Sequence, residues 1–164
     1  MEVRALRPEE YEEAGRVTAL AYQEFAVPGD PGWEEYLERI ADVAARAARA
    51  VALGAIEEGR VLGSVTVELD QRIEGGDTRS ELRPEEAHVR MLGVHPGHRR
   101  RGIGRLLTEA CTEVARDAGK RVISLETAET MTAAQRMYES MGFRRGEDLV
   151  FENDFRLLSY ELSL

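Results

Sequence analysis

The residues with the clearest chemical potential are three consecutive arginines, Arg99, Arg100 and Arg101, followed by Gly102 and Gly104. Adjacent like charges repel, and glycine weakens the start of a helix, so this segment needs a partner that offsets both costs. Backbone N–H groups at a helix N-terminus bind anions, and arginines beside them donate paired hydrogen bonds to phosphate oxygens. Glycine lets a phosphate approach the backbone closely. The segment therefore predicts a phosphate site.

Two well-known phosphate-binding motifs are absent from the sequence. A Walker loop requires the pattern GxxxxGK[ST], which does not occur. The dinucleotide fingerprint requires GxGxxG, but the GIG at 102–104 is followed by RLL at 105–107, without the third glycine. The segment is therefore not expected to belong to either of these nucleotide-binding folds.

The elements that must position this segment are a strand before it and an amphipathic helix after it. The strand is expected over 87–94, which reads AHVRMLGV, and the helix begins at Ile103 and ends near Gly119. The chain shows no repeat and no linker, so residues 1–164 are expected to form one α+β domain. The predicted order is β-α-α-β-β-β-α-β-α-β-β. Strands are expected at 3–7, 51–56, 61–69, 87–94 and 122–127, with two more within 143–164. Helices are expected from Pro8 and over 33–47, 103–119 and 130–142, and a mobile surface loop is expected at 70–86.

The composition limits the partners that the protein could have. There are 22 Lys and Arg against 31 Asp and Glu, a formal net charge of −9, which disfavours nucleic acid and favours a cationic partner such as an amine. The single cysteine, Cys111, lies in an apolar helical pattern and is expected to be a small buried hydrophobic residue. The N-terminus lacks the apolar core of a signal peptide, and no apolar run reaches the roughly 20 residues of a membrane span. A cytoplasmic protein without a membrane partner is the simplest expectation.

Three sequence patterns resemble the GNAT superfamily of N-acetyltransferases. RRRGIG at 99–104 resembles the superfamily's Q/R-x-x-G-x-G/A signature, and LGVHP at 92–96 is similar to the L-x-V-x-P that precedes it. Downstream, AAQRMYESMGF at 133–143 resembles A-x-x-x-Y-E-x-x-G-F. The order of elements also agrees, so the resemblance covers essentially the whole chain. It implies a mixed α+β fold with a central, mostly antiparallel twisted sheet that is splayed at the cofactor site and flanked by helices.

The resemblance also implies residue roles toward acetyl-CoA as co-substrate. Leu92, Gly93 and Val94 match the place where the family's strand bulges and bonds the pantetheine arm, and one of their amides would polarise the thioester carbonyl. Tyr138 matches the tyrosine often taken to protonate the leaving thiolate. Met131 is a departure, because many relatives carry there an asparagine that contacts the cofactor. The pyrophosphate-binding residues, acting chiefly through backbone amides, would be Arg99, Arg100, Arg101, Gly102, Ile103, Gly104 and Arg105.

The strand that leads to the bulge carries candidate proton acceptors. An attacking amine must lose a proton, and a group that titrates near neutral pH suits that role. Glu86, His88 and Arg90 alternate onto one face of the strand. Relatives often carry glutamate at the position of His88, so His88 is the first candidate for a base or a water-mediated relay, and Glu86 is the second. Two alternatives remain: His88 is a surface residue with a structural hydrogen bond, or waters take the proton.

The resemblance implies transfer of acetyl from acetyl-CoA to a primary amine. Direct attack is expected, because Cys111 is predicted to be buried and no Ser-His arrangement is evident. Trp33, Tyr36 and Tyr22 are expected near the acceptor side, although core packing explains them equally well. Three alternatives remain: a different acyl-CoA, acylation of a protein N-terminus or lysine, and a CoA-binding module without turnover. A homodimer through the C-terminal strands is left open, and no metal site is predicted.

Overall fold

The computed structural model describes residues 1–70, 81–151 and 154–164, so the predicted mobile loop lies, over residues 71–80, outside the described residues. The helices are α1 (Tyr11–Gln23), α2 (Pro31–Ala41), α3 (Val43–Ala47), α4 (Ile103–Asp117) and α5 (Thr132–Ser140). The strands are β1 (Glu2–Ala5), β2 (Val51–Glu57), β3 (Arg60–Glu68), β4 (Glu86–Val94), β5 (Val122–Ala128), β6 (Arg144–Arg145), β7 (Leu149–Val150) and β8 (Arg156–Ser163). Short 3₁₀ turns at Pro8–Glu10 and Pro96–His98 precede α1 and α4.

The strands form one sheet with the order β1-β2-β3-β4-β5-β8-β6, and β7 pairs with β8. Neighbouring strands are antiparallel except for β4 and β5, which run parallel. The parallel pairing joins residues 86–89 only to residues 122–125, so β4 and β5 separate beyond them. The predicted mixed α+β fold, with a mostly antiparallel sheet splayed between two strands, is therefore confirmed.

A β-bulge interrupts β4 just after it leaves β5. Val65 of β3 faces two β4 residues, Met91 and Leu92, because the register shifts between the paired residues on either side. Met91 has a φ of 52°, a left-handed conformation that residues other than glycine rarely adopt. The bulge thus overlaps the N-terminal edge of the segment 92–94, where the family resemblance places it.

Helices cover both faces of the sheet around β3 and β4. On one face α4 directs Ile103, Leu107 and Cys111 into the core at helical spacing, and each is at most 1% exposed. The buried position predicted for Cys111 is therefore confirmed. On the other face α1 packs so closely that a Cβ at Gly93 would lie 3.0 Å from the Cα of Thr18. These contacts hold β4, and with it the loop that follows, between two helices.

The structure differs from the sequence prediction in two places. The helix predicted over 33–47 is two helices, because Asp42 interrupts it with a ψ of 70° and accepts a hydrogen bond from the Ala45 amide at 3.0 Å. The C-terminal region holds three described strands rather than two, since β7 pairs with β8 inside the predicted loop at 146–154. Residues 152–153 of that loop lie outside the described residues.

Candidate active site

The loop before α4 leaves the N-terminus of that helix open. Arg100 and Gly102 have φ angles of 64° and 77°, a left-handed geometry that leads the chain into the helix. Gly102 is the N-cap residue, where no described side chain caps the helix, and the first turn contains no acidic residue. A Cβ at Gly102 would meet no described atom within 4 Å. The N–H groups of this turn are therefore oriented for an anion, the role predicted for residues 99–105.

Two arginines of this loop are held by ion pairs with carboxylates. Arg99 contacts the Glu24 carboxylate and donates to the Ala21 carbonyl at 3.3 Å, which ties the loop to α1. Arg101 donates to both carboxylate oxygens of Glu57, at 2.8 and 3.0 Å, at the end of β2. These guanidinium groups hold the loop in place, and their charges are already offset.

The other two arginines have different surroundings. Arg105 donates to the Ser140 hydroxyl at 2.5 Å, which joins α4 to α5. Gly104 also lies against α5, because a Cβ there would be 3.2 Å from the sulfur of Met137. The Arg100 side chain is exposed and makes no hydrogen bond or ion pair with any residue that the structure describes. Among these arginines, Arg100 is therefore the one whose side chain makes no polar contact with a described residue.

The end of β4 offers a backbone amide on the side that β5 has left. His95 donates its N–H to the Leu62 carbonyl at 2.8 Å, and the preceding residue, Val94, pairs with Gly63. Amides alternate in direction along an antiparallel ladder, so the Val94 N–H points away from β3. Among residues 92–94, Val94 is thus placed to donate into the gap between β4 and β5.

Tyr138 lies on the buried face of α5 and is 5% exposed. Its ring packs against Phe143 and Tyr160, with centroids 5.6 and 6.2 Å away. Burial raises the pKa of Tyr138 well above its ordinary value, so the phenol is protonated at neutral pH. Its neighbour Met137 lies against Gly104, so Tyr138 is on the helix that packs against the segment 99–105. Tyr138 is therefore a core residue and, by its protonation, a group able to donate a proton.

A cavity of about 450 Å³ lies between α1, α2 and the separated strands. Tyr22, Trp33 and Tyr36 line it from the two helices, the side on which the sequence places them. Phe151 and Phe155 line it from the segment between β7 and β8. The cavity thus has an aromatic lining on two of its sides.

His88 and Glu126 form an acid–base pair in the lining of this cavity. The Nε2 of His88 lies 3.0 Å from a carboxylate oxygen of Glu126, and the two side chains are 2% and 6% exposed. The Nδ1 of His88 lies 2.9 Å from the Ser124 hydroxyl. The alternative in which His88 is a surface residue is therefore excluded, and the first candidate base lies in the cavity.

Glu86, the second candidate base, does not line the cavity and is 1% exposed. Its carboxylate accepts hydrogen bonds from the Ser124 hydroxyl and, at 2.9 Å, from Nε of Arg83. A hydroxyl carries one proton, so Ser124, which donates to Glu86, accepts from Nδ1 of His88. The other ring nitrogen of His88, Nε2, faces Glu126. Glu86 is thus linked to His88 through Ser124.

A second charged pair lies beside the first. Arg90 also lines the cavity and contacts the Glu68 carboxylate at 3.3 Å, and the two side chains are 6% and 0% exposed. Next to them, Arg46 donates to the Thr66 hydroxyl at 3.2 Å. Burial lowers the pKa of Arg46 to about 10, and the nearby charge of Arg90 contributes. The cavity lining thus contains charged side chains of both signs.

Sequence reasoning missed Ser124 and Glu126. Both lie on β5, whose parallel register puts Ser124 opposite His88. A signal was present, because these two polar residues alternate with buried apolar ones in the strand VISLETA. Nothing in the sequence showed that β5 would pair with β4 in this register.

Metal-binding groups and membrane-spanning helices are both absent from the described residues. Within residues 1–70, 81–151 and 154–164, no group of three or more His, Cys, Asp or Glu side chains could hold a metal ion. None of the helices in those ranges is both long and apolar enough to cross a membrane.

Comparisons with known proteins agree with this architecture. The model of the Acetyltransferase (GNAT) family matches residues 14–143. Mycothiol acetyltransferase of Rhodococcus erythropolis is 39% identical over 62 residues, which are 38% of this chain and 21% of that protein. The chain thus matches only 21–28% of the length of the curated relatives.

Two solved structures share the fold over the full chain. The structure of yncA from Salmonella typhimurium, which contains its cofactor acetyl-CoA, has a TM-score of 0.72 at 22% identity, covering 100% of this chain and 94% of that one. Ribosomal-protein-alanine N-acetyltransferase from Brucella melitensis has a TM-score of 0.70 at 19% identity, covering 100% of both chains. The family match over most of the chain, together with the splayed sheet and the open α4 N-terminus, shows that this protein belongs to the GNAT family of acetyltransferases.

Proposed function

We propose that this protein transfers an acetyl group from acetyl-CoA directly to a primary amine, with the His88–Glu126 pair receiving the proton of the amine. The observation that carries the proposal is the 3.0 Å contact of this buried pair in a cavity beside the separated strands. A buried histidine whose protonated form is stabilised by a carboxylate suits a general base.

The described residues fit acetyl-CoA as co-substrate. The open first turn of α4 and the Arg100 guanidinium would hold the pyrophosphate, since helix N–H groups and arginine both favour such anions. The separated end of β4 would bond the pantetheine arm, and the Val94 amide would polarise the thioester carbonyl. Gly104 would belong to the pyrophosphate site, and a large side chain there would have to displace Met137, whose sulfur would lie 3.2 Å from a Cβ. Met131, which replaces the family's asparagine, lines the cavity and offers a sulfur instead of an amide.

The proposal assigns the proton steps to groups at the two ends of the site. The His88–Glu126 pair takes up the amine proton, which is then shared between Nε2 and the carboxylate oxygen 3.0 Å away. Ser124 and Glu86 are positioning residues that keep the proton of Nδ1 in place. Tyr138, protonated because burial raises its pKa, donates to the leaving thiolate.

Direct attack is favoured over a covalent intermediate on Cys111. That thiol is fully buried, and burial raises its pKa far above neutrality. The thiolate needed for nucleophilic attack is therefore scarce, and no acceptor reaches it from the cavity. Amine attack on the thioester forms the C–N bond, breaks the C–S bond and releases CoA after proton transfer to the sulfur.

Release of free thiol from acetyl-CoA, measured over primary amines and short peptides, tests the proposal. We expect turnover with at least one primary amine and a fall in kcat of about a hundredfold in His88→Ala, the scale of general base catalysis. Tight CoA binding without thiol release from any amine would overturn it in favour of a binding module. Turnover only with peptides would make a protein amine the acceptor, a role that the name of the Brucella neighbour suggests. If free thiol is released faster from a longer acyl-CoA than from acetyl-CoA, the transferred group is that longer acyl group rather than acetyl. A cytoplasmic location and a homodimer stay predictions.

A further inference from the structure

We propose that the acceptor is an arylalkylamine, a primary amine that carries an aromatic ring on a short chain. This inference rests on the proposed function, because it names the substrate class of the same site. It starts from the aromatic lining of the cavity, which consists of Tyr22, Trp33, Tyr36, Phe151 and Phe155.

These five rings are not part of the described hydrophobic core. The core consists of two clusters of buried residues with partly buried residues packed against them, and none of the five belongs to either set. Phe155 is 44% exposed. Large apolar side chains that stay outside the core and gather around one concavity are typical of a binding site. Core packing, the alternative explanation for Tyr22, Trp33 and Tyr36, therefore does not account for them.

The rings on the helix side are arranged to receive another ring. The centroids of Trp33 and Tyr36 are 5.5 Å apart with an interplanar angle of 74°, and those of Tyr22 and Tyr36 are 6.4 Å apart with an angle of 80°. Such edge-to-face sets are extended by a further ring at a similar distance. Phe151 and Phe155, whose centroids are 5.7 Å apart, offer a second pair from the other segment.

The polar end of the cavity suits an amine. Glu126 supplies a carboxylate that would attract an ammonium group, and the His88–Glu126 pair would take up its proton. A ligand that contacts both ends carries nitrogen at one end and an apolar ring at the other. The volume of about 450 Å³ is in the range of small-molecule sites, which suits a single-ring amine.

The chain contains one tryptophan, Trp33, so its intrinsic fluorescence reports directly on this cavity. We would titrate the full chain with 2-phenylethylamine, 2-cyclohexylethylamine and n-butylamine, using calorimetry for affinity and Trp33 fluorescence for location. We expect phenylethylamine to bind about tenfold more tightly than butylamine, with cyclohexylethylamine between them and a saturable Trp33 signal. Phe155→Leu keeps the apolar bulk of an exposed side chain and should weaken phenylethylamine binding about threefold. Tyr11→Leu, which removes a ring outside the cavity, should leave it unchanged.

Equal affinity for phenylethylamine and butylamine would overturn the inference, and so would binding that leaves Trp33 fluorescence unchanged. Because binding is measured without turnover, the two proposals fail separately. Acetyl transfer to amines without aromatic preference would keep the proposed function and reject the aromatic class. Selective binding of phenylethylamine without acetyl transfer would support the aromatic class and reject the proposed function.

Discussion

Replacing Glu126 by glutamine removes the negative charge beside His88 while keeping the size of the side chain. The carboxylate lies 3.0 Å from Nε2, and both groups are nearly buried. At a charge separation of roughly 4 Å and an effective dielectric constant of about 20, the carboxylate and a protonated ring attract by about 4 kcal/mol. The glutamine carbonyl recovers about 1–2 kcal/mol of this as a hydrogen bond. The remaining loss corresponds to a fall of about a hundredfold in kcat/KM for acetyl transfer.

Thiol release from acetyl-CoA at amine concentrations below KM measures this kcat/KM. Calorimetry with CoA should show unchanged affinity, because Glu126 is not one of the residues 99–105 proposed to hold the pyrophosphate. Glu129→Gln is the matched control: it makes the same chemical change at an exposed residue that follows β5 and does not line the cavity. If Glu126→Gln remains folded and works within threefold of the native protein, the pair is not the proton acceptor and the mechanism is refuted.

Three further perturbations address other parts of the molecule. Tyr138→Phe should lower kcat at least tenfold with little change in CoA affinity, and an unchanged kcat would remove Tyr138 from the acid role. Because burial raises the pKa of Tyr138, the rate of the native protein should not fall as pH approaches 10. Gly104→Trp should weaken CoA binding at least a hundredfold by calorimetry, because even a Cβ there would lie 3.2 Å from the Met137 sulfur. Normal affinity would contradict the assignment of residues 99–105 to the pyrophosphate. Hydrogen bonds from Arg4 lower the pKa of Glu10 from 4.5 to about 2, so the pair stabilises the fold above about pH 4.5 and this contribution is lost as pH falls toward 2. Glu10→Gln should therefore reduce the free energy of unfolding by about 1 kcal/mol in urea at pH 7 and leave it unchanged near pH 2; an equal effect at both pH values would show that the charge is not responsible.

Local sequence signals predicted the elements around the phosphate loop because each signal has a local cause. Apolar residues at helical spacing defined α4, and glycine at 102 allowed the left-handed N-cap. The break at Asp42 was harder to predict, since the apolar pattern continues across it while a single side-chain hydrogen bond ends one helix and starts the next. The short strand β7 depends on pairing with β8 rather than on its own two residues.

The sequence predicted the candidate bases on β4 but not the residues of β5 that contact them. His88 and Glu86 were found because they alternate on one strand, which is a property of that strand alone. Their partners Ser124 and Glu126 come from a strand more than 30 residues away, brought alongside by a parallel register. The same register places Ser124 between Glu86 and His88, which only the fold shows.

The ion pairs that hold Arg99 and Arg101 also set how the two substrates would approach. Glu24 and Glu57 offset two of the loop's charges, so Arg100 and Arg105 carry its remaining positive charge in a molecule of net charge −9. An anionic nucleotide thioester would therefore meet long-range repulsion and be retained only by contacts formed within a few ångströms, whereas a cationic amine would be drawn in from solution. The two substrates would thus be sorted by opposite electrostatic forces before either reaches its own end of the site.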